Sequence, residues 1–222
     1  MNDDGSYRQG PIPGLGGPFD TAAEFFKAWS TNAQFGLSHD KLQEAAGPFA
    51  EEVSASASSF KKLLHDSAAG LSIRNEGPFP LCHGDFGHNN VVFDDHYRLL
   101  GVIDWEGAFA GPWEISGEFP LTLSMIPPAM DVPWNYDENG LPKSAEGRQR
   151  VRDRGEYIAI VSEEEGRRGL VTGYRLSLAL RDSGRQHLVS AMRLYQNGKP
   201  GWYSNVMGSV SLAGQQQLSK HQ

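Results

Sequence analysis

The chain has 222 residues, 39% of them hydrophobic, and a formal net charge of -7 at pH 7. This length suits one compact domain and is short for two. Because the charge is acidic and no Lys/Arg cluster runs along any segment, the surface that a nucleic-acid binder needs is missing, and nucleic acid is excluded as an expected partner.

Targeting signals and cysteine usage both favour the cytosol. The N-terminus has no basic region followed by an apolar run, and no segment has the roughly 18 uninterrupted apolar residues of a membrane span. A single cysteine, Cys82, excludes an intramolecular disulfide framework and a multi-thiolate zinc site. On a strand, its neighbour His83 would point to the opposite face, so we interpret Cys82 as a buried structural thiol. We expect a cytoplasmic protein with no membrane partner.

Composition divides the chain into three parts. Residues 1–18 are rich in glycine and proline and are predicted to form a flexible N-terminal segment. Residues 19–212 are predicted to form the folded domain, and the glutamine-rich residues 213–222 a disordered tail.

Helices are predicted before residue 80. Thr21 and Glu24 have the spacing of a capping box, and Phe25 and Trp29 then lie on one helical face. A short helix follows from the N-cap candidate Ser38. After the Gly-Pro break at 47–48, apolar residues at helical spacing predict a longer helix that ends near residue 70.

Short strands are predicted from Pro80 onward. Apolar or β-branched runs occupy residues 81–82, 90–93 and 99–103, and Asp94-Asp95 supplies turn chemistry between the last two. The proline-rich residues 120–147 predict a long irregular excursion, and two closing helices are predicted over 146–168 and 175–195.

One group of polar residues has the spacing of a catalytic site. His83-Gly84-Asp85 is followed after four residues by Asn90, and fourteen positions later Asp104 ends an apolar strand. Phosphoryl transfer needs a carboxylate that receives the attacking hydroxyl and oxygen ligands for magnesium, and this spacing offers both.

These residues resemble a known family. The block is similar to the H-G-D-x-x-x-x-N and I-D-W-E motifs of aminoglycoside phosphotransferases and choline-kinase-like enzymes. The resemblance implies that Asp85 is the catalytic base, that His83 orients the loop, and that Asn90 and Asp104 bind Mg²⁺ and through it ATP. It also implies an α+β, mainly helical fold like the C-terminal lobe of a protein kinase, in which a small β-hairpin carries the catalytic and metal-binding loops.

The sequence departs from the family pattern in two places. Gly111-Pro112-Trp113-Glu114-Ile115 stands where related enzymes continue with Gly-Asp-Pro and a later Asp-Leu, and Glu114 is a candidate substitute for that Asp. This region looks most like fungal-type phosphotransferase-domain proteins. The roles of Glu106, Glu114 and residues 120–147 stay open.

The second departure is the nucleotide lobe. Enzymes of this type have a β-rich lobe with a phosphate-binding lysine before the catalytic loop, whereas the 82 residues before His83 predict helices. Gly14-Leu15-Gly16-Gly17 and Gly198-Lys199-Pro200 are interpreted as turns rather than phosphate loops. The sequence therefore predicts an ATP-dependent small-molecule phosphotransferase present as a C-lobe, lacking its N-lobe and inactive alone.

Other functions remain open. A non-catalytic, pseudokinase-like binding or scaffold module is the main alternative, and a metal-dependent hydrolase using His83, Asp85 and His88 is weaker. His88 and Asn89 either face a substrate or stabilise the turn.

For the phosphotransferase hypothesis, the expected acceptor is a hydroxyl- or amine-bearing small molecule of unknown identity. Three carboxylates, Glu114, Glu118 and Asp131, would suit a cationic acceptor or belong to a solvated face.

Overall fold

The computed structural model describes residues 10–170 and 175–210. Its helices are α1 (Ala22–Asn32), α2 (His39–Ala46), α3 (Ala50–Leu71), α4 (Trp113–Ser116), α5 (Ala145–Arg167), α6 (Leu176–Arg181) and α7 (Ser183–Gln196). Its strands are β1 (Leu81–Cys82), β2 (Val91–Phe93), β3 (Leu99–Val102) and β4 (Phe109–Ala110). This mainly helical chain with small sheets confirms the predicted α+β class at its coarse level.

The helix starts follow the sequence signals. Thr21 Oγ1 accepts from the Glu24 amide at 3.2 Å, and Glu24 Oε2 accepts from the Thr21 amide at 3.2 Å, so the predicted capping box begins α1. Ser38 Oγ accepts from the Lys41 amide at 3.4 Å and caps α2. Both boundaries were therefore encoded locally.

The hydrophobic core lies where α1 packs against α3 and α7. Trp29, Phe60, Tyr195 and Tyr203 form an aromatic cluster in which neighbouring ring centroids lie 5.5–6.2 Å apart. Aromatic pairs in this range add to the stabilisation that burial alone supplies. The cluster therefore joins helices that lie far apart in sequence.

The strands form two separate two-stranded sheets. The antiparallel β2–β3 hairpin has a register irregularity at Val92/Phe93, and its presence confirms the predicted hairpin. In the other sheet, β1 pairs with β4. The sequence did not predict β4, since a two-residue strand has no periodicity to recognise.

The last predicted helix is wrong as a single element. Residues 175–195 contain two helices, α6 and α7, which are separated at Asp182. The side chain of Asp182 accepts from the Arg185 amide at 3.1 Å and so caps a new helix, which ends the preceding one. The other closing helix, α5, matches its prediction within a residue at each end. Residues 120–144 contain 3₁₀ turns, an isolated β-bridge between Tyr136 and Pro142, and irregular backbone.

The chain ends are only partly described. Within the predicted flexible segment, residues 10–18 form a turn in which the Ile12 amide donates to Gly16 O at 2.8 Å, and Asn32 Nδ2 donates to Leu15 O at 2.9 Å. Residues 1–9 and the predicted tail lie outside the described residues. Among the helices that are described, none is long and apolar enough to cross a membrane.

Candidate active site

The loop that follows β1 is held from within by His83. The imidazole is buried, and its Nε2 lies 2.8 Å from Ile103 O, while the Asp85 amide lies 3.3 Å from its Nδ1. A carbonyl only accepts and an amide N–H only donates, so the neutral Nε2–H tautomer satisfies both contacts. The side chain therefore joins the loop to the end of β3.

Asp85 and Asn90 are in direct contact. Asn90 Nδ2 donates to the main-chain O of Asp85 at 2.8 Å and to its Oδ2 at 3.2 Å. Asn90 is buried, whereas Asp85 is exposed. Both atoms of Asp85 are acceptors, so both hydrogen bonds come from the amide nitrogen of Asn90. Asn90 Oδ1 takes no part in this contact.

Asp104 follows shortly after β3, one residue beyond a backbone contact with Asn90. The amide of the preceding residue, Ile103, donates to Asn90 O at 2.9 Å. Asp104 itself has φ 66° and ψ 49°, in the left-handed region, where Asp is among the few non-glycine residues enriched. The structure thus brings Asp85 and Asn90 into direct contact, and it places Ile103, the neighbour of Asp104, in a backbone hydrogen bond with Asn90.

Gly84 is required by a close backbone approach. Its φ is +87°, and a Cβ at this position would lie 2.7 Å from Gly107 O. Both facts exclude a side chain. Gly84 therefore allows the loop to pass close to the 3₁₀ turn over residues 105–107. In that turn, the ring centroid of Trp105 lies 4.6 Å from the ring centroid of His83.

A second 3₁₀ turn, residues 121–123, holds the outer side of the loop. The Leu121 amide donates to Phe86 O at 2.7 Å, and the His88 amide donates to Thr122 Oγ1 at 3.2 Å. The His88 ring nitrogen Nδ1 also lies 3.1 Å from that hydroxyl. These contacts favour the turn-stabilising role for His88.

Two arginines, Arg154 and Arg193, bind the 121–124 segment through hydrogen bonds. Arg154 Nε donates to Leu123 O at 2.7 Å, and Arg193 donates to Ser124 Oγ and, at 3.0 Å, to Glu118 Oε1. Burial lowers the pKa of Arg154 to about 10, although Glu118 opposes this shift. Sequence reasoning missed this arginine clamp, because only the fold brings α5 and α7 to the 121–124 segment.

The three carboxylates suggested for a cationic acceptor are engaged by the protein. Glu114 is buried, its Oε1 accepts from the Ile73 amide at 2.8 Å, and burial raises its pKa. Asp131 accepts from the Val132 amide at 2.8 Å, and Glu118 pairs with Arg193. Glu114 thus joins α4 to the end of α3, and its geometry indicates a structural role.

Cys82 has the environment expected of a structural thiol. It is buried, its Sγ lies 2.8 Å from Ser116 Oγ, and burial raises the pKa of the thiol. A raised pKa keeps a thiol protonated and a poor nucleophile.

A cavity of about 680 Å³ opens beside the loop. Its walls come from α1, the 12–15 turn, the loop after β1, the 105–121 region and α7. Gly84 and Phe86, the two neighbours of Asp85, both line it. This volume lies within the range of about 300–1,000 Å³ that is usual for small-molecule sites.

Residues 9–114 match the model of the phosphotransferase enzyme family, APH. Residues 9–114 are therefore similar to phosphotransferase enzymes. The match spans α1 to α3, the loop after β1 and the β2–β3 hairpin, and it confirms the resemblance that the motifs predicted. No curated protein matches the chain, and no solved structure matches it.

The hydrolase alternative loses support from the surroundings of its proposed ligands. Within the described ranges, no group of three or more His, Cys, Asp or Glu side chains is arranged to hold a metal ion. Both ring nitrogens of His83 are engaged by the backbone, as described above. A site built on His83, Asp85 and His88 would need those nitrogens for a metal.

Proposed function

We propose that residues 81–104 form the catalytic loop and the metal-binding segment of an ATP- and Mg²⁺-dependent phosphotransferase. This enzyme would act on a hydroxyl or amine of a small molecule. One observation carries the proposal: an exposed carboxylate, Asp85, is held by Asn90, whose carbonyl accepts from the residue preceding Asp104. The family match over residues 9–114 supports the same reaction class.

The chemistry assigned to Asp85 follows from its surroundings. Its carboxylate is exposed to solvent and so to an incoming acceptor, while two contacts, from Asn90 Nδ2 and through its own amide to His83, restrict its position. In this role Asp85 orients the attacking hydroxyl and accepts its proton as the bond to phosphorus forms. His83 is a positioning residue, since neither of its ring nitrogens faces a reactant.

The donor set suits magnesium. Asn90 Oδ1 and the exposed carboxylate of Asp104 are hard oxygen ligands of the kind that Mg²⁺ prefers, and this ion usually takes only one or two protein ligands. Bound there, Mg²⁺ would neutralise charge on the phosphates of ATP. Asn90 and Asp104 would therefore hold the metal and, through it, the nucleotide.

The described residues before the loop do not supply a binding site for the phosphates of ATP. Ahead of the loop, residues 10–80 contain helices and turns and no strand that could carry a phosphate-binding lysine. We infer that the described domain corresponds to a kinase-like C-terminal lobe and that the phosphate cradle is supplied by other residues. On this basis the chain of 222 residues alone is inactive or nearly so.

Calorimetry with MgATP tests this inference, with Asp104→Asn as the metal-site variant and Asp95→Asn, in the exposed hairpin turn, as the matched control. We expect affinity weaker than micromolar for chain 1–222 and phosphoryl transfer at background over hydroxyl and amine acceptors. Micromolar affinity with turnover that Asp85→Asn abolishes would contradict the inference about the cradle while supporting the enzyme.

An activity assay on the longest protein translated from the same locus tests whether the protein is an enzyme. With a nucleotide lobe present, we expect MgATP-dependent transfer or ATP hydrolysis that is lost in Asp85→Asn. If that product binds MgATP but shows no Asp85-dependent turnover, the phosphotransferase proposal is wrong, and the non-catalytic binding module becomes the better description. The absence of a cradle from residues 10–80 is the observation that favours this second candidate.

A further inference from the structure

The cavity beside the loop is lined mainly by aromatic and aliphatic side chains. Six aromatic side chains line it: Phe25, Trp29, Phe86, Trp105, Phe109 and Phe119. Aliphatic side chains fill much of the remaining wall. Pockets of this type bind ligands mainly through apolar contact, and a few polar groups set orientation.

The charge of the cavity is balanced within its own wall. Among the described lining residues, the ordinarily charged side chains are the carboxylate of Glu118 and the guanidinium of Arg193. Arg193 Nε donates to Glu118 Oε1 at 3.0 Å, and both side chains are largely buried. An ammonium group entering this cavity would lose hydration and meet a carboxylate that is already paired. The wall of the cavity therefore offers a cationic acceptor no unpaired carboxylate.

The cavity also lies beside the proposed base. Gly84 and Phe86 contribute to its wall and flank Asp85 in the loop. An occupant with an apolar body and one hydroxyl can thus bury its body among the rings while its hydroxyl faces the loop. This placement connects the cavity to the reaction.

We propose that this cavity is the acceptor site and that it takes an uncharged, aromatic or otherwise apolar alcohol rather than a cationic acceptor. The part of this inference that concerns catalysis rests on the proposed function. The part that concerns binding does not, because it depends only on the cavity. The two parts are therefore tested by different measurements.

Binding is tested by calorimetry on chain 1–222 with two probes of equal size, 3-phenylpropan-1-ol and 3-phenylpropan-1-amine, the latter protonated at pH 7. We expect the alcohol to bind at least about tenfold more tightly than the ammonium. Gln34, exposed at the rim, lines the cavity. Gln34→Trp should weaken the alcohol by about tenfold or more, because it narrows the entrance.

A matched variant controls for the added ring. Gln43→Trp adds the same side chain at an exposed position of α2 that does not line the cavity, and it should leave the alcohol's affinity unchanged. Thermal melts of both variants show whether each is folded. No binding of the alcohol at millimolar concentration, a preference for the ammonium, or equal effects of the two tryptophans would overturn the proposal.

Transfer to the alcohol is measured separately in the longest product of the locus with MgATP. Phosphorylation of the alcohol that Gln34→Trp slows supports the acceptor assignment. If the alcohol binds as expected while the product phosphorylates no acceptor, the proposed function fails and the binding preference stands. If other acceptors are phosphorylated and the alcohol is not, the acceptor assignment fails and the proposed function stands.

Discussion

Asn90 Nδ2 donates to both the main-chain oxygen and the carboxylate of Asp85, at 2.8 and 3.2 Å. The side chain of Asn90 therefore sets the shape of the loop, and in the proposed function its Oδ1 would also bind the metal. Because one residue serves both purposes, a substitution at Asn90 mixes the two effects. Asp85 and Asp104 are the better positions for separating base from metal ligand.

Asp85→Asn and Asp104→Asn should have different kinetic signatures in a nucleotide-binding form of the protein. Asp85→Asn should lower kcat by about 10²- to 10⁴-fold with little change in nucleotide affinity, since a base acts on the transition state. Asp104→Asn should also weaken MgATP binding, and Asn tolerates the left-handed backbone of this position. Steady-state kinetics and calorimetry check both, and equal, mild effects would contradict these roles.

Gly84→Ala should destabilise the domain by about 2 kcal/mol or more, because it combines a left-handed backbone with a Cβ 2.7 Å from Gly107 O. Gly155 provides the matched control, since it lies within α5 and a Cβ there meets nothing within 4 Å. Gly155→Ala should stabilise by about 0.5–1 kcal/mol. Urea unfolding measures both, and a neutral Gly84→Ala would show that the loop does not need this close approach.

Arg154→Met tests the arginine clamp. It removes the hydrogen bond to Leu123 O and leaves that carbonyl without its charged donor, at a cost of about 2 kcal/mol. Arg152, exposed on the same helix and bonded within it to Gln149, is the control, and Arg152→Met should change stability by less than about 0.5 kcal/mol.

Hydrogen exchange of the His88 and Leu121 amides gives a more specific measure of the clamp. Both amides form hydrogen bonds between the loop after β1 and the 121–123 turn. We expect faster exchange at these positions in Arg154→Met than in Arg152→Met. Unchanged protection, with only global stability lost, would mean that the clamp supports the fold but not the loop.

Glu114 should make stability depend on pH. Burial raises its pKa in the folded state, against the opposing hydrogen bond from Ile73. The folded state then binds more protons than the unfolded state above the ordinary glutamate pKa, so the free energy of unfolding falls as pH rises through this range. Glu114→Gln should reduce that slope. Unfolding measured from pH 4 to 7 checks this, and an unchanged slope would show that Arg185 and the hydrogen bonds offset burial.

Local signals predicted much of the framework. The Thr21–Glu24 capping box, the Ser38 cap and the buried Cys82 all agree with the structure, because each depends on neighbours in sequence or on side-chain polarity. The Asp182 cap was missed, since the apolar pattern continues across it and predicts one helix where a local hydrogen bond makes two.

The sequence by itself determined the reaction class to consider, because a catalytic carboxylate and metal ligands must stand at set offsets along a loop and a strand. Only the tertiary structure decided what surrounds them. It showed that Glu114, Glu118 and Asp131 are engaged within the protein, and that helices distant in sequence line a cavity beside Asp85. The physical reason is that a carboxylate's availability depends on its partners in space, and residues up to 75 positions apart make those contacts here.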